Sequence, residues 1–102
     1  MDISVQELKQ KIDHGDSFIF LDVREPYEFA EFNLGAKLIP LGDLMSRVVE
    51  LDGSQDAEII VHCRSGKRSA MGQQILQMNG FTNVRNVEGG VLAWMDAFGA
   101  TR

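Results

Sequence analysis

Cys63 is the only cysteine in the chain, and it is followed by Arg64, Ser65, Gly66, Lys67, Arg68 and Ser69. A cysteine attacks as its thiolate, which forms where positive charge or hydrogen-bond donors lie beside the sulfur. Three of the ten basic residues, Arg64, Lys67 and Arg68, fall within five positions after Cys63. Gly66 takes positive φ without steric cost, so the backbone can curl there. Successive N–H groups in such a curl form a nest for an anion. If the loop leads from a strand into a helix, the positive end of the helix dipole faces the same centre. The anion can then be the sulfur of Cys63 itself, which is expected to be largely thiolate at neutral pH. Many free cysteines are inert small side chains of a core. A run of arginine, serine, glycine and lysine does not fit that role.

One cysteine excludes an intramolecular disulfide and a cysteine-rich zinc site. No metal and no cofactor is expected. The two histidines, His14 and His62, are expected at the surface or its boundary. On a strand, His62 and Cys63 would point to opposite faces, so His62 is not assigned as the base of a Cys–His pair.

The elements that must position this loop alternate between helix-like and strand-like runs. Ser4-Val5-Gln6-Glu7 has capping-box spacing, with Ser4 as N-cap and Glu7 reaching back. Val5, Leu8 and Ile12 form an apolar stripe, and Gly15 is the stop. Phe18-Ile19-Phe20-Leu21, ending at Asp22, has the pattern of a strand buried on both faces. Glu25 to Phe29 can open a short helix with Pro26 at its first position. Lys37-Leu38-Ile39 is a short strand, and Leu44, Val48 and Leu51 mark a helix from Leu41 to Leu51. Asp52-Gly53-Ser54 breaks it. Glu58 to His62 is a second buried strand, Arg64 to Lys67 a loop, and Ser69 to Met78 a helix stopped by Asn79-Gly80. Val84 to Val87 is a further strand. Gly89-Gly90 permits a tight turn before a last helix, Val91 to Phe98. The expected class is α/β, a mostly parallel central sheet with helices on both faces. Ligands of such sheets bind at the carboxyl ends of the strands, where Asp22 and Cys63 both stand. Strand order does not follow from the pattern.

The 102 residues suit one domain, 1–102, and the apolar fraction of 44% is that of a soluble globular protein. No run of 18 apolar residues is present, so no membrane span is expected. The start MDISVQELKQ lacks a basic segment followed by an apolar stretch, so no signal peptide is expected and the cytoplasm is favoured. A net charge of −5 argues against nucleic acid as a partner. Asp22 and Arg24 are expected to brace the loop from behind, through an ion pair or backbone hydrogen bonds. Trp94, Phe18, Phe20 and the five methionines are assigned to the core, with Tyr27 and Phe29 at the mouth or packed beneath it.

Three motifs together resemble the rhodanese-domain sulfurtransferases over essentially the whole chain. One is the loop CRSGKRS after IIVH. A second is Leu21-Asp22-Val23-Arg24-Glu25-Pro26, followed by Tyr27-Glu28-Phe29 and then Gly35-Ala36 before Ile39-Pro40. The third is Glu88-Gly89-Gly90 with Trp94. Many rhodanese domains carry Gly-His-Ile before the Gly-Ala; this chain has Glu31-Phe32-Asn33-Leu34 instead, one residue shorter. That variant is similar to the rhodanese domains fused to adenylyltransferases of molybdopterin and thiamine biosynthesis.

The resemblance implies a mechanism. Cys63 takes the outer sulfur of a donor such as thiosulfate, the N–H groups of residues 64 to 68 hold the persulfide, and a thiol- or cyanide-type acceptor removes the sulfur. A sulfur-carrier protein is a possible acceptor. Arg64, Lys67 and Arg68 would guide the anionic donor, with at least one of them a solvated surface cation. The chain is expected to act as a monomer. Two rivals share the fold. One is a cysteine phosphatase or arsenate reductase, which needs a cradle one residue longer between its Cys and Arg and a general acid that the sequence does not offer. The other is a docking module for a protein partner.

Overall fold

The computed structural model describes residues 1–100 and contains four strands and five α-helices among them. The strands are β1 (Ile19–Asp22), β2 (Lys37–Leu38), β3 (Ile59–His62) and β4 (Val84–Asn86). They form one sheet in the order β2-β1-β3-β4, and every pair is parallel. Residue 19 pairs with 59 and residue 22 with 62 across the central pair. The chain leaves β1 to one side to make β2, then returns to make β3 on the other. The carboxyl ends of β1 and β3 therefore flank the point where strand order reverses, where open α/β sheets bind their ligands.

The helices are α1 (Val5–Asp13), α2 (Pro26–Glu31), α3 (Leu41–Arg47), α4 (Lys67–Met78) and α5 (Gly90–Phe98). They cover both faces of the sheet, because its central strands β1 and β3 carry apolar side chains on both sides. Leu21, Ile59, Val61 and Cys63 pack with Leu44 of α3 and Leu76 of α4. On the other face Ile60 packs with Leu8 of α1 and with Val91 and Trp94 of α5. Strand alternation makes this division: successive residues of β3 point to opposite layers.

Local chemistry sets most boundaries where the pattern places them. The Ser4 hydroxyl accepts from the Glu7 N–H at 3.1 Å and starts α1. Glu7 does not reach back as expected, because its carboxylate pairs with Arg85 at 3.0 Å. Ile12 also departs from the apolar stripe and is exposed, while Val5 and Leu8 are buried. Pro26 opens α2, and the capping box belongs to Glu25 and Glu28. The expected helix from 41 to 51 is two pieces, α3 and a 3-10 turn over Val48–Leu51. The Arg47–Glu50 ion pair at 2.6 Å spans the turn at a spacing of three, which suits the tighter winding. Helix α4 starts at Lys67, two residues before its expected first residue, so Lys67 and Arg68 belong to its first turn. β4 ends at Asn86, and Val87 makes only a bridge to Ile3.

Two core expectations are corrected. Met1, Met45, Met71 and Met78 are exposed, and Met95 is half-buried; branched residues and Trp94 fill the interior instead. Phe18 and Phe20 are half-buried, Phe18 preceding β1 and Phe20 within it. His62 is fully buried, not at the boundary, whereas His14 is exposed. Its place as the last residue of a strand covered on both faces leaves it no route to water. No helix among the described residues is long and apolar enough to cross a membrane.

Candidate active site

Cys63 leaves β3 on the α3–α4 face with only 1% of its surface exposed. Gly66 follows at φ 101°, a left-handed conformation that turns the backbone back on itself. The turn aims the Gly66 N–H at the Cys63 sulfur, 3.1 Å away. The N–H of Ser69, third residue of α4, lies 3.3 Å from the same atom, and the Ser69 hydroxyl also lies at 3.3 Å. The nest is real, but its donors reach one residue beyond the span of 64 to 68 read from the sequence. Burial pushes the Cys63 thiol up. Against it, the Ser69 hydroxyl and the N–H groups of Ser69, Gly66 and Ser65 pull harder, and the net direction is down.

Asn86, at the end of β4, ties the loop together and was not foreseen. Its side-chain nitrogen donates to the Gly66 carbonyl at 3.1 Å, and its oxygen lies 2.5 Å from the Ser69 hydroxyl. A hydroxyl has a single proton, so Ser69 serves either Asn86 or the sulfur at one time. The available signal was an uncharged polar residue at the carboxyl end of a strand, the end at which such sheets bind their ligands.

The three cations of the loop have different fates. Arg64 and Lys67 are exposed and form no ion pair among the described residues. Arg68 is engaged: its two terminal nitrogens meet the two oxygens of Glu28 at 2.7 and 2.9 Å. The Arg68 guanidinium holds the Glu28 carboxyl down to about 2, with smaller help from the Glu25 N–H, against the upward push of burial. Glu28 was seen in the sequence only as part of a motif. A carboxylate in the helix after β1, facing a loop arginine, could have been suggested by the topology had the strand order been known.

Asp22 and Arg24 form the expected ion pair, with the Arg24 side chain on both Asp22 oxygens at 2.8 to 3.1 Å. What they brace is different from the expectation. Arg24 donates to the carbonyls of Glu28 and Phe32, at 3.4 and 2.7 Å, and so fixes α2 and its exit. From α2 the bracing reaches the loop through the Glu28–Arg68 pair. Behind it lies His62, whose Nδ1 is 3.4 Å from the Cys63 carbonyl and whose Nε2 is 3.7 Å from Asp22. Burial lowers the His62 pKa more than Asp22 raises it. The ring points away from the sulfur layer, against Phe20 at 5.3 Å, in keeping with its exclusion as a base.

Helix α5 closes the loop from the other side. The N–H groups of Val91 and Leu92 donate to the carbonyls of Cys63 and Arg64, both at 3.0 Å. This needs a glycine at position 90, where φ is 57° and an added Cβ would lie 2.5 Å from the Cys63 carbonyl oxygen. Between α2 and α5 a cleft of about 580 Å³ opens, lined by Arg64 and Arg68 and by Tyr27 at its mouth. Phe29 does not line it.

A parallel α/β sheet with a cysteine at a strand end, cradled by a glycine turn and the first turn of a helix, defines a class of thiol-centred domains. Within it the chain belongs to the rhodanese-like domain family, whose model matches residues 4–97. It is 39% identical to YtwF of Bacillus subtilis, which is named a sulfurtransferase, over 91% of the chain and 88% of that protein. It is 38% identical to YrkF of the same organism, named a sulfur carrier protein, over 91% of the chain and 50% of that protein. It is also 31% identical to MoeZ of Mycobacterium tuberculosis, named an adenylyltransferase/sulfurtransferase, over 90% of the chain and 24% of that protein. The chain thus spans half or less of two of these three relatives. The fold matches that of a rhodanese-like domain protein from Staphylococcus aureus with a TM-score of 0.82 at 32% identity, over 92% of this chain and 91% of that one. The relation to adenylyltransferase fusions inferred from the shortened Glu31-to-Leu34 segment agrees with the match to MoeZ.

Proposed function

We propose that the chain is a sulfurtransferase in which Cys63 carries one sulfane sulfur as a persulfide. The observation that carries this reading is the convergence of the Gly66 N–H, the Ser69 N–H and the Ser69 hydroxyl on one sulfur atom. Such donors favour the thiolate for attack and can solvate the anionic outer sulfur of a persulfide. With thiosulfate as donor, the Cys63 thiolate attacks the outer sulfur. A new S–S bond forms to Cys63, the bond to the sulfonyl sulfur breaks, and its electron pair leaves with sulfite. An acceptor nucleophile such as cyanide or a thiolate then bonds the outer sulfur, and the Cys63 thiolate departs. Two half-reactions through one covalent intermediate give ping-pong kinetics. Arg64, Ser65, Gly66, Lys67 and Arg68 shape the cradle, and Arg64 and Lys67 are the cations available to a donor. Asp22 and Arg24 act at a distance by holding α2. The action is that of a monomer needing no cofactor, in the cytoplasm, and the acceptor is a small nucleophile or a sulfur-carrier protein. The name of YrkF and the fused architecture of MoeZ support a protein acceptor.

The phosphatase reading is disfavoured by Arg68, whose guanidinium is occupied by Glu28 where a phosphate cradle needs it for oxyanion contacts. Turnover of thiosulfate and cyanide to thiocyanate tests the proposal. The wild type should show parallel double-reciprocal lines, and Cys63→Ala should reduce turnover to the uncatalysed rate. Equal turnover in Cys63→Ala would refute it.

A further inference from the structure

The cleft over the Cys63 loop has a composition that a small dianion does not need. At about 580 Å³ it is in the range that accommodates drug-sized molecules, whereas thiosulfate is about the size of sulfate. One wall is apolar: Tyr27, Phe32, Val91, Leu92 and Met95 all line it. Tyr27 is 68% and Leu92 42% exposed, large apolar side chains left open to water at the mouth. Two of the three arginines lining the cleft are neutralised, Arg24 by Asp22 and Arg68 by Glu28, which leaves Arg64 as its one cation without an ion pair among the described residues.

We propose that this cleft selects a monoanionic sulfane donor with an apolar organic body over a small dianion, and that Glu28 sets the preference by neutralising Arg68. The inference rests on the sulfurtransferase reading above. Glu28 is a positioning and specificity residue; it does not touch the reacting sulfur. Removing its charge leaves a second uncompensated guanidinium, that of Arg68, beside Arg64 at the cradle. A dianion gains about twice as much from that field as a monoanion does, and salt reduces the difference.

Benzenethiosulfonate and thiosulfate are the probes. Both present an outer sulfur on a sulfonyl group, and one carries a phenyl ring where the other has a charged oxygen. In the first case the Cys63 thiolate takes the outer sulfur and benzenesulfinate leaves with the electron pair. The measured quantity is the ratio of kcat/KM for the two donors, each divided by its rate with a free thiol. In the wild type the ratio should favour benzenethiosulfonate by about tenfold or more. E28Q should move it toward thiosulfate by about threefold or more, mainly through the KM of thiosulfate, and the shift should shrink at high salt. The double variant E28Q with R68Q, again charge-neutral, should return the ratio toward the wild type, which a purely structural role of Glu28 would not do. Leu92→Ala, a surface change, should lower the ratio through the lost wall. A wild type that prefers thiosulfate overturns the proposal, even if the Glu28 variants fail to fold. So does a folded E28Q that loads sulfur with an unchanged ratio. Failure of both donors to load any sulfur would instead remove the underlying sulfurtransferase reading.

Discussion

At the scale of the residue, the chemistry depends on how few groups set the state of one sulfur. Cys63 is almost fully buried, and burial alone would keep it a thiol. Three backbone N–H groups, of Ser69, Gly66 and Ser65, and the Ser69 hydroxyl reverse that outcome. Alkylation of Cys63 by iodoacetamide should therefore follow a pH profile whose inflection lies below that of an ordinary cysteine. Ser69→Ala removes the hydroxyl and leaves the N–H. Its inflection should move up, and alkylation at neutral pH should slow several-fold. The same change leaves the Asn86 oxygen without the Ser69 proton, a loss of about 1–3 kcal/mol in stability. An unchanged profile would show that Ser69 gives its proton to Asn86 alone. The place of Cys63 in a loop of hydrogen-bond donors was legible in the sequence because its flanking residues are chemically unlike a core. Ser69 and Asn86 were not assigned, since their contacts join a strand end to a helix turn 17 residues away.

At the scale of the element, α2 and α4 are clipped together across the cleft by Glu28 and Arg68, and Arg24 holds α2 to the end of β1. The Glu28 carboxyl titrates at about 2 in the fold, below the ordinary 4.5. A group with a depressed folded pKa stabilises above its unfolded value, and that contribution fades as pH falls through the folded one. The clip thus contributes fully above about pH 5 and is lost toward about pH 2. Denaturant unfolding should show wild type more stable than Glu28→Gln near neutral pH, and the gap should narrow steadily on acidification below about pH 4.5. A gap that stays constant to low pH would mean that the pair contributes no net electrostatic stabilisation. Element types were largely legible from apolar periodicity, glycine stops and Pro26. The split of the 41–51 helix and the early start of α4 were not. Ion pairing of Arg47 with Glu50 and the Gly66 turn decide them, and neither leaves a periodic trace.

At the scale of the whole molecule, a parallel sheet with a reversal in strand order brings the ends of β1 and β3 together, and with them Asp22, Arg24 and Cys63. The α/β class was legible because strands and helices alternate. Strand order was not, because parallel neighbours are joined through helices and carry no local pairing signal. That gap explains the residues missed. Glu28 facing Arg68, and Asn86 beneath Gly66, are consequences of which strands are neighbours. His62 was misplaced for a related reason: its burial depends on coverage from both layers. The methionines show the converse, since apolar side chains do stay at the surface when the branched residues already fill the interior.

The central claim is that Cys63 holds transferred sulfur, and intact mass spectrometry reads it directly. After incubation with thiosulfate and removal of excess donor, the wild type should gain the mass of one sulfur atom. Cyanide should remove that mass, and Cys63→Ala should never acquire it. A wild type that keeps its original mass with thiosulfate and with benzenethiosulfonate, or a Cys63→Ala protein that gains the sulfur, would contradict the account.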